Sequence, residues 1–441
     1  MPRPAMVSWF VLAAVAHGQT PQWRMLSAVN PNPFSGSEIA YDHLRDRAIV
    51  YGGMTGHLPV SALNEFDGDT WLYPTYGSSA IPPARAGHKL AFDGSRGETL
   101  LVGGGVLGPT FFTDTWVWNG SVWVERFPQN PPPPAYADFT LTYDDEREVV
   151  VLYSGQALHE WNGIDWLLRT PAQSPPVRRY HSAAYDSRQH RMLVHGGAVG
   201  SSFQLTDTWA WDGNVWQQLA SSGPFTNYNT QMVFDRERGV GVLVGFGSCH
   251  EFDGVTWTAQ SAPPSLGMVS WDRQRNRVVM VFGWNGQSTP APGSTWVYEI
   301  PGLAVAQPYG IGCGNPALVA REDPNARPVV GGTLGVDIEQ SPTGVAFMCF
   351  GWSNDLALGL ALPQPMDSWG LPGCWLLQSD DAITLPCATT GATTARFTFA
   401  LPNSPTFAGL PFFLQPWAPA PGLNPAGVAI GNAIAVTIGS F

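Results

Sequence analysis

Charge is scarce in this chain. Of 441 residues only 13% are Asp, Glu, Lys or Arg, and the balance is acidic at −12. Lys89 is the only lysine. Phosphate backbones are neutralised by clustered Lys and Arg, so nucleic acid is excluded as a main partner. Histidine is absent beyond His250, which denies the C-terminal part an imidazole ligand or base. Long apolar runs are missing too. The one candidate, Met6 to Ala16 behind Arg3, is too short to span a bilayer as a helix. With small residues at Ala14, Ala16 and Gly18 it reads as a secretory signal peptide over residues 1–18. The alternative is a buried first strand. No transmembrane segment is expected, and the chain should be secreted or held in the cell envelope.

What the chain has is a repeat. An aromatic-Asp pair recurs at Tyr41-Asp42, Phe92-Asp93, Tyr143-Asp144, Tyr185-Asp186, Phe234-Asp235 and Trp271-Asp272, 37 to 51 residues apart. That is the period of propeller blades. An Arg follows three residues later in five copies: Arg45, Arg96, Arg147, Arg238 and Arg275. The fourth copy has Arg188 and Arg191 instead. The Asp is expected to accept backbone hydrogen bonds in a tight turn, with the Arg pinning it; a catalytic pair is not needed six times. Each turn feeds a hydrophobic run ending in Gly, as at Gly52, Gly103, Gly155, Gly196, Gly247 and Gly283. An aromatic, Asp or Asn, then Gly follows, with Trp three residues on: Gly68 with Trp71, Gly120 with Trp123, Gly163 with Trp166, Gly213 with Trp216, and Gly254 with Trp257. Asp-Gly and Asn-Gly suit a two-residue hairpin turn, where both central residues take positive φ. One full unit runs from Tyr180 to Leu219 and reads as four antiparallel strands.

The Gly-ended strand, the Trp, and an Arg-x-x-His at Arg85 to His88 and Arg178 to His181 resemble Kelch repeats over residues 21–300. The resemblance implies an all-β fold, a six-bladed β-propeller. The sixth copy lacks a Trp hairpin. Trp23 to Ser27 parallels Trp216 to Ala220, so the N-terminus is expected to complete that blade with two strands, Trp23–Ser27 and Ser37–Asp42, leaving no edge open. The alternative third strand is Gly302 to Ala306.

Connections in such sheets alternate between two faces. The Asp-x-x-Arg and Asp-Gly turns share one face. The long, irregular links, such as 54–62, 106–113, 198–206 and 220–229, share the other. Rigid scaffolds carry recognition on variable loops, so ligand contacts are expected at His57, Tyr76, Phe111, Phe112, Phe203, Phe225 and Trp284. The bland alternative is that these aromatics pack down their own loops. Animal Kelch domains that bind peptides use the opposite loops, which are too short here. Pro131 to Pro134 reads as a stiff loop spacer.

After a linker at 301–308, residues 309–441 turn to Gly, Pro, Ala and Leu with short apolar runs, the pattern of a β-sandwich. Gly310 to Gly314, Gly373 to Leu377 and Ala435 to Gly439 resemble a C-terminal module of secreted bacterial proteins, one without known activity. That resemblance pairs Cys313 with Cys374, leaving Cys349 for Cys387. The rival joins Cys374 to Cys387 across a hairpin at Asp380-Asp381. Cys249 is expected to be buried and inert. Zinc is disfavoured by the cysteine spacing and the missing His.

A propeller before a sandwich is similar to galactose oxidase and its copper-radical relatives. That chemistry takes two His, two Tyr and a Cys, one His coming from the C-terminal domain, which has none here. His195 replaces an aromatic or Val of other copies and reads as core; His88 and His181 are assigned to outer strands. No cofactor or metal is expected. Carbohydrate-active enzymes use paired carboxylates, but Glu65, Glu160 and Glu251 share one repeat position, and Glu125, Asp138, Asp165 and Glu299 are scattered. The reading is therefore a non-catalytic binding or scaffold protein for a glycan or another protein. The alternative is a propeller-type hydrolase or lyase.

Overall fold

The computed structural model describes residues 20–439, apart from 30–35, 75–79, 107–110, 133–137, 201–202, 227–229, 246, 265–266, 282–293, 301–304, 311, 314–316, 324–325, 355, 358–359 and 380–382. The expected signal segment, Tyr76 and Trp284 lie outside the described residues, as does the side chain of Phe203.

Residues 22–299 build six four-stranded antiparallel sheets. Sheet 1 contains Glu38–Asp42, Arg47–Tyr51, Leu63–Phe66 and Trp71–Leu72. Sheet 2 contains Ala86–Asp93, Glu98–Gly105, Thr115–Trp118 and Trp123–Arg126. Sheet 3 contains Thr140–Asp144, Val149–Tyr153, Leu158–Trp161 and Trp166–Arg169. Sheet 4 contains Ser182–Asp186, Arg191–His195, Thr208–Trp211 and Trp216–Ala220. Sheet 5 contains Gln231–Asp235, Val240–Gly245, Ser248–Phe252 and Trp257–Gln260. Sheet 6 contains Met268–Asp272, Arg277–Val281, Ser294–Glu299 and, from the N-terminus, Gln22–Val29.

Six separate apolar cores lie between these sheets, one for each neighbouring pair, including sheet 6 with sheet 1. A row of six sheets would have five such cores; the sixth closes a ring. The first strands touch one another around that ring. This is a β-propeller. Its cores are built from Val, Ile and Leu of the second strands and Trp of the third and fourth, because both faces of an inter-sheet strand are buried. Fourth-strand tryptophans also reach across. Trp71, Trp166 and Trp257 donate Nε1–H to Thr295, Thr115 and Thr208 of the neighbouring sheet.

The closure differs from the sequence expectation. One strand comes from the N-terminus, not two: Gln22–Val29 pairs with Ser294–Glu299, Trp23 opposite Tyr298. The second expected strand, ending at Asp42, opens sheet 1, because the tight turn places Asp42 opposite Arg47. The alternative at 302–306 is also overturned. Val305–Tyr309 pairs with Ala433–Thr437, the last strand of the chain, so the linker expected at 301–308 is shortened by a strand.

The C-terminal region has two antiparallel sheets around one core. One holds Val305–Tyr309, Ala433–Thr437, Pro411–Pro419, Phe347–Gly351 and Thr384–Pro386, with Val428–Ile430 beside Pro411–Pro419. The other holds Val319–Glu322, Thr333–Glu339, Ala395–Ala400 and Ala388–Thr389. Leu334, Val336, Ile338 and Phe397 meet Met348, Phe350, Leu414 and Ile434 in the shared interior.

Cys313 and Cys374 form a disulfide. Cys349 and Cys387 are not bridged, contrary to expectation. Cys349 pairs with Thr384 across the strands, whereas the Cys387 amide donates to the Ala346 carbonyl. The two sites are three residues apart along the ladder, and side chains alternate faces, so the thiols face opposite sides. The rival pairing fails because Cys374 is already taken. Cys249 is buried, which pushes its thiol up to about 12.

Candidate functional site: a six-sided cup

The six first strands enclose a cavity of about 510 Å³. Aligning each strand on its terminal Asp gives the cavity three layers. The residues four before the Asp form a rim: Glu38, Lys89, Thr140, Ser182 and Gln231, with Met268 in the sixth position. Those two before it form a narrow-bodied waist: Ala40, Ala91, Thr142, Ala184, Val233 and Ser270. Those one after it form a floor: His43, Gly94, Asp145, Ser187, Arg236 and Arg273. The waist residues are small, which is why the axis stays open. First strands also turn an unpaired backbone edge inward, since only one flank is bonded within the sheet, and such N–H and C=O groups demand polar company.

At the rim, Lys89 and Glu38 form an ion pair between sheets 1 and 2. His181 Nε2 lies within hydrogen-bond distance of the Tyr153 carbonyl and Thr140 Oγ1, and its Nδ1 is buried with no protein partner. Burial, then the Arg178 guanidinium, lowers its pKa to about 3, so it stays neutral. His88 and His181 thus belong to the inner strands, not the outer ones: His88 lies within Ala86–Asp93 and His181 just precedes Ser182–Asp186. The assignment failed because each Asp-x-x-Arg turn joins strands of one sheet rather than ending it. His195 is core, bonded to Thr208 Oγ1 and the Pro224 carbonyl and packed on Trp257.

At the floor, Arg236 and Asp145 pair at 3.1 Å across sheets 5 and 3. Below it the C-terminal region docks. Asn354 donates to Asp46 at 2.9 Å, and Arg327 pairs with Glu237. Both partners sit in tight turns, so the C-terminal region covers part of the tight-turn face.

The tight-turn face is a pinned surface. In every turn the Asp accepts backbone N–H bonds, for example Leu44 and Arg45 to Asp42 and Glu146 and Arg147 to Asp144. The residue four beyond each Asp takes positive φ: Asp46, Gly97, Glu148, His190, Gly239 and Asn276. Four of these Arg residues lean on the hairpin turn of the next sheet, whereas Arg188 donates to the Arg236 and Glu237 carbonyls in the tight turn of sheet 5. Arg96 donates to the Asn162 carbonyl at 2.5 Å, and a Cβ on Gly163 would lie 2.1 Å from its Nε. Arg45, Arg147 and Arg275 crowd Gly120, Gly213 and Gly68 in the same way. Sheet 6 lacks this hairpin, because its fourth strand is N-terminal; Arg238 bonds Glu251 and lies over Tyr298 instead. Glu65 accepts from Trp118, and Glu160 pairs with Arg147 and Arg169. The shared acid is structural.

On the long-loop face, His57 is exposed, as are Phe111 at 45% and Phe225 at 72%. Phe112 lies 4.2 Å from the Arg85 guanidinium, which packs it onto the segment leading into Ala86–Asp93. Of the expected contact residues that are described, none lines the cup. Sequence reasoning missed the cup itself. The signal was present: aligned on Asp, the next residue changes from copy to copy while Asp, Arg, Gly and Trp recur.

Among the described residues no group of three His, Cys, Asp or Glu is placed to hold a metal, and no helix is long and apolar enough to cross a membrane. No protein-family model and no curated protein matches the chain. Among solved structures, it is similar to the structure of YjhT, at 12% identity over 64% of this chain and 97% of that one, with a TM-score of 0.47. It is also similar to a fungal alcohol oxidase of the AA5 family in complex with copper, at 13% identity over 91% of this chain and 85% of that one, with a TM-score of 0.42. Likeness at this level carries no argument about activity.

Proposed function

We propose that this chain is an exported, non-catalytic binding or scaffold protein, a six-bladed Kelch-type propeller with a C-terminal β-sandwich. Its ligand, a glycan before another protein, seats on the long-loop face around the cup mouth. One observation supports this most: exposed Phe111, Phe225 and His57 lie on the long loops, on the rim side of the polar cup, while the opposite face is pinned by Arg and partly covered. Aromatic faces stack on sugar rings and on apolar protein surface alike. A glycan array probed with the purified full chain tests the reading. Retention of a defined glycan set, lost on Phe225→Ala, is expected; an empty array removes the glycan and leaves a protein partner.

A second reading, a carbohydrate-active enzyme, is favoured by the convergence of Glu38, Asp145, His43 and His181 in one cavity. Against it, Glu38 is tied to Lys89 and Asp145 to Arg236, so neither is poised as a general acid. Release of reducing sugar from a retained glycan, abolished by Asp145→Asn, would establish it.

A further inference from the structure

The floor of the cup holds more positive charge than its own residues neutralise. Arg236 is engaged by Asp145. Arg273 has no carboxylate within ion-pair distance among the described residues, and its Nε is buried without a protein partner. Burial, then the neighbouring Arg236 guanidinium, pushes its pKa down to about 10, so it remains a cation at neutral pH. His43 adds no charge: burial, then these same two guanidiniums, holds it well below the usual imidazole range. Ser187 Oγ and Trp271 Nε1 line the cavity and are likewise buried without partners. Asp145, Glu322 and Tyr41 each favour the charged form of Arg273 without outweighing burial and Arg236. Tyr41 gives its hydroxyl to Asp46. Glu148 lines the cavity but is exposed. Glu322 of the C-terminal region is pushed up to about 7 by burial and then by Glu237, which leaves it only partly ionised near neutrality. A partly buried guanidinium whose Nε has no partner, in a cavity lined by two more buried polar atoms without partners, is costly unless something fills the gap.

We propose that the floor of the cup is a binding site for a small oxyanion held by Arg273, with Ser187 and Trp271 as supporting donors. A guanidinium offers its N–H groups in the planar fork that oxyanions accept. The small waist leaves the cavity continuous between rim and floor. Two sources carry this chemistry: free inorganic phosphate, and the carboxylate of a small hydroxylated acid. The unpartnered Thr142 Oγ1 and His181 Nδ1 higher in the cup favour the second, because a bare ion would not reach them. The site stands apart from the loop surface and does not depend on it.

Isothermal titration of the full chain at pH 7 and constant ionic strength tests this with three probes: D-glucuronate, inorganic phosphate and D-glucose. An anion should bind with one equivalent, and glucose about tenfold or more weaker. Glucuronate alone identifies a hydroxylated carboxylate; phosphate, alone or with glucuronate, identifies a free oxyanion. Arg273→Gln should lose about tenfold or more in affinity, while Ile164→Ala, at an exposed hairpin turn outside the cavity lining, binds as the parent does. Without ligand, Arg273→Gln should melt at or above the parent temperature, because it removes a repelled cation. Trp271→Phe should weaken binding several-fold. The proposal is overturned if neither anion binds, if glucose matches them, if Arg273→Gln binds normally, or if that variant melts several degrees lower and so marks Arg273 as structural.

Discussion

The two faces of the propeller are built from one repeat, yet they obey different rules. On the tight-turn face each copy repeats the same chemistry: Asp takes backbone amides, the residue four on enters positive φ, and Arg locks the next sheet. On the long-loop face the connections vary in length and composition, although sheets 2 and 4 share an Arg-x-x-His lead-in and its Arg–Asp pair. A surface whose every residue is needed for ring closure is not free to diversify. The loops, which close nothing, are.

The contrast can be broken most severely at the tight turns. Asp272 is buried, accepts the Arg275 amide and pairs with Arg275 and Arg277. Asp272→Ala strands buried guanidiniums and should cost about 3–5 kcal/mol, read as a fall in the urea midpoint. Next comes acid. His181 and His195 have pKa values lowered to about 3 and about 4. Their neutral forms belong to the folded state, so the stability they add is complete above roughly pH 6.5 and drains away as pH falls toward about 4 and then 3. Urea midpoints measured from pH 7 to 4 should fall by the equivalent of a few kcal/mol, on the order of 1 kcal/mol for each tenfold loss of proton affinity on folding. His181→Gln should flatten the profile.

Glycine substitutions sharpen the comparison further. Gly163 sits at φ +96° against Arg96 on the tight-turn face, whereas Gly56 sits at φ +62° in a long loop with nothing near its missing Cβ. Gly163→Ala should cost about 2 kcal/mol or more, and Gly56→Ala only about 1 kcal/mol for its left-handed backbone. The smallest effect is Phe225→Ala: within about 0.5 kcal/mol of the parent in stability, but with ligand capture lost.

Legibility in the sequence follows the same division. The six sheets could be read because hairpins and tight turns demand particular residues, so Asp42, Arg96 or Gly163 announce their geometry locally. The cup could not. Its walls are chosen by ring closure, and nothing in Ala40, Thr142 or Ser270 marks them as partners until the first strands meet. The closing blade was half read: Trp23 revealed its strand by likeness to Trp216, but whether one strand or two crossed over depended on long-range pairing. Cys349 and Cys387 were misjudged because register, which decides facing, is invisible in spacing. Position on a loop does not say where a side chain points, as Phe112 on Arg85 illustrates.

Hydrogen exchange on the full chain, with and without a glycan retained on the array, tests the central claim most directly. The account predicts new protection in the 54–62, 106–113, 198–206 and 220–230 connections and at the rim beside Lys89 and His181. Protection confined to the turns at 42–47, 93–97, 144–148 and 235–239, with the long connections unchanged, would contradict it.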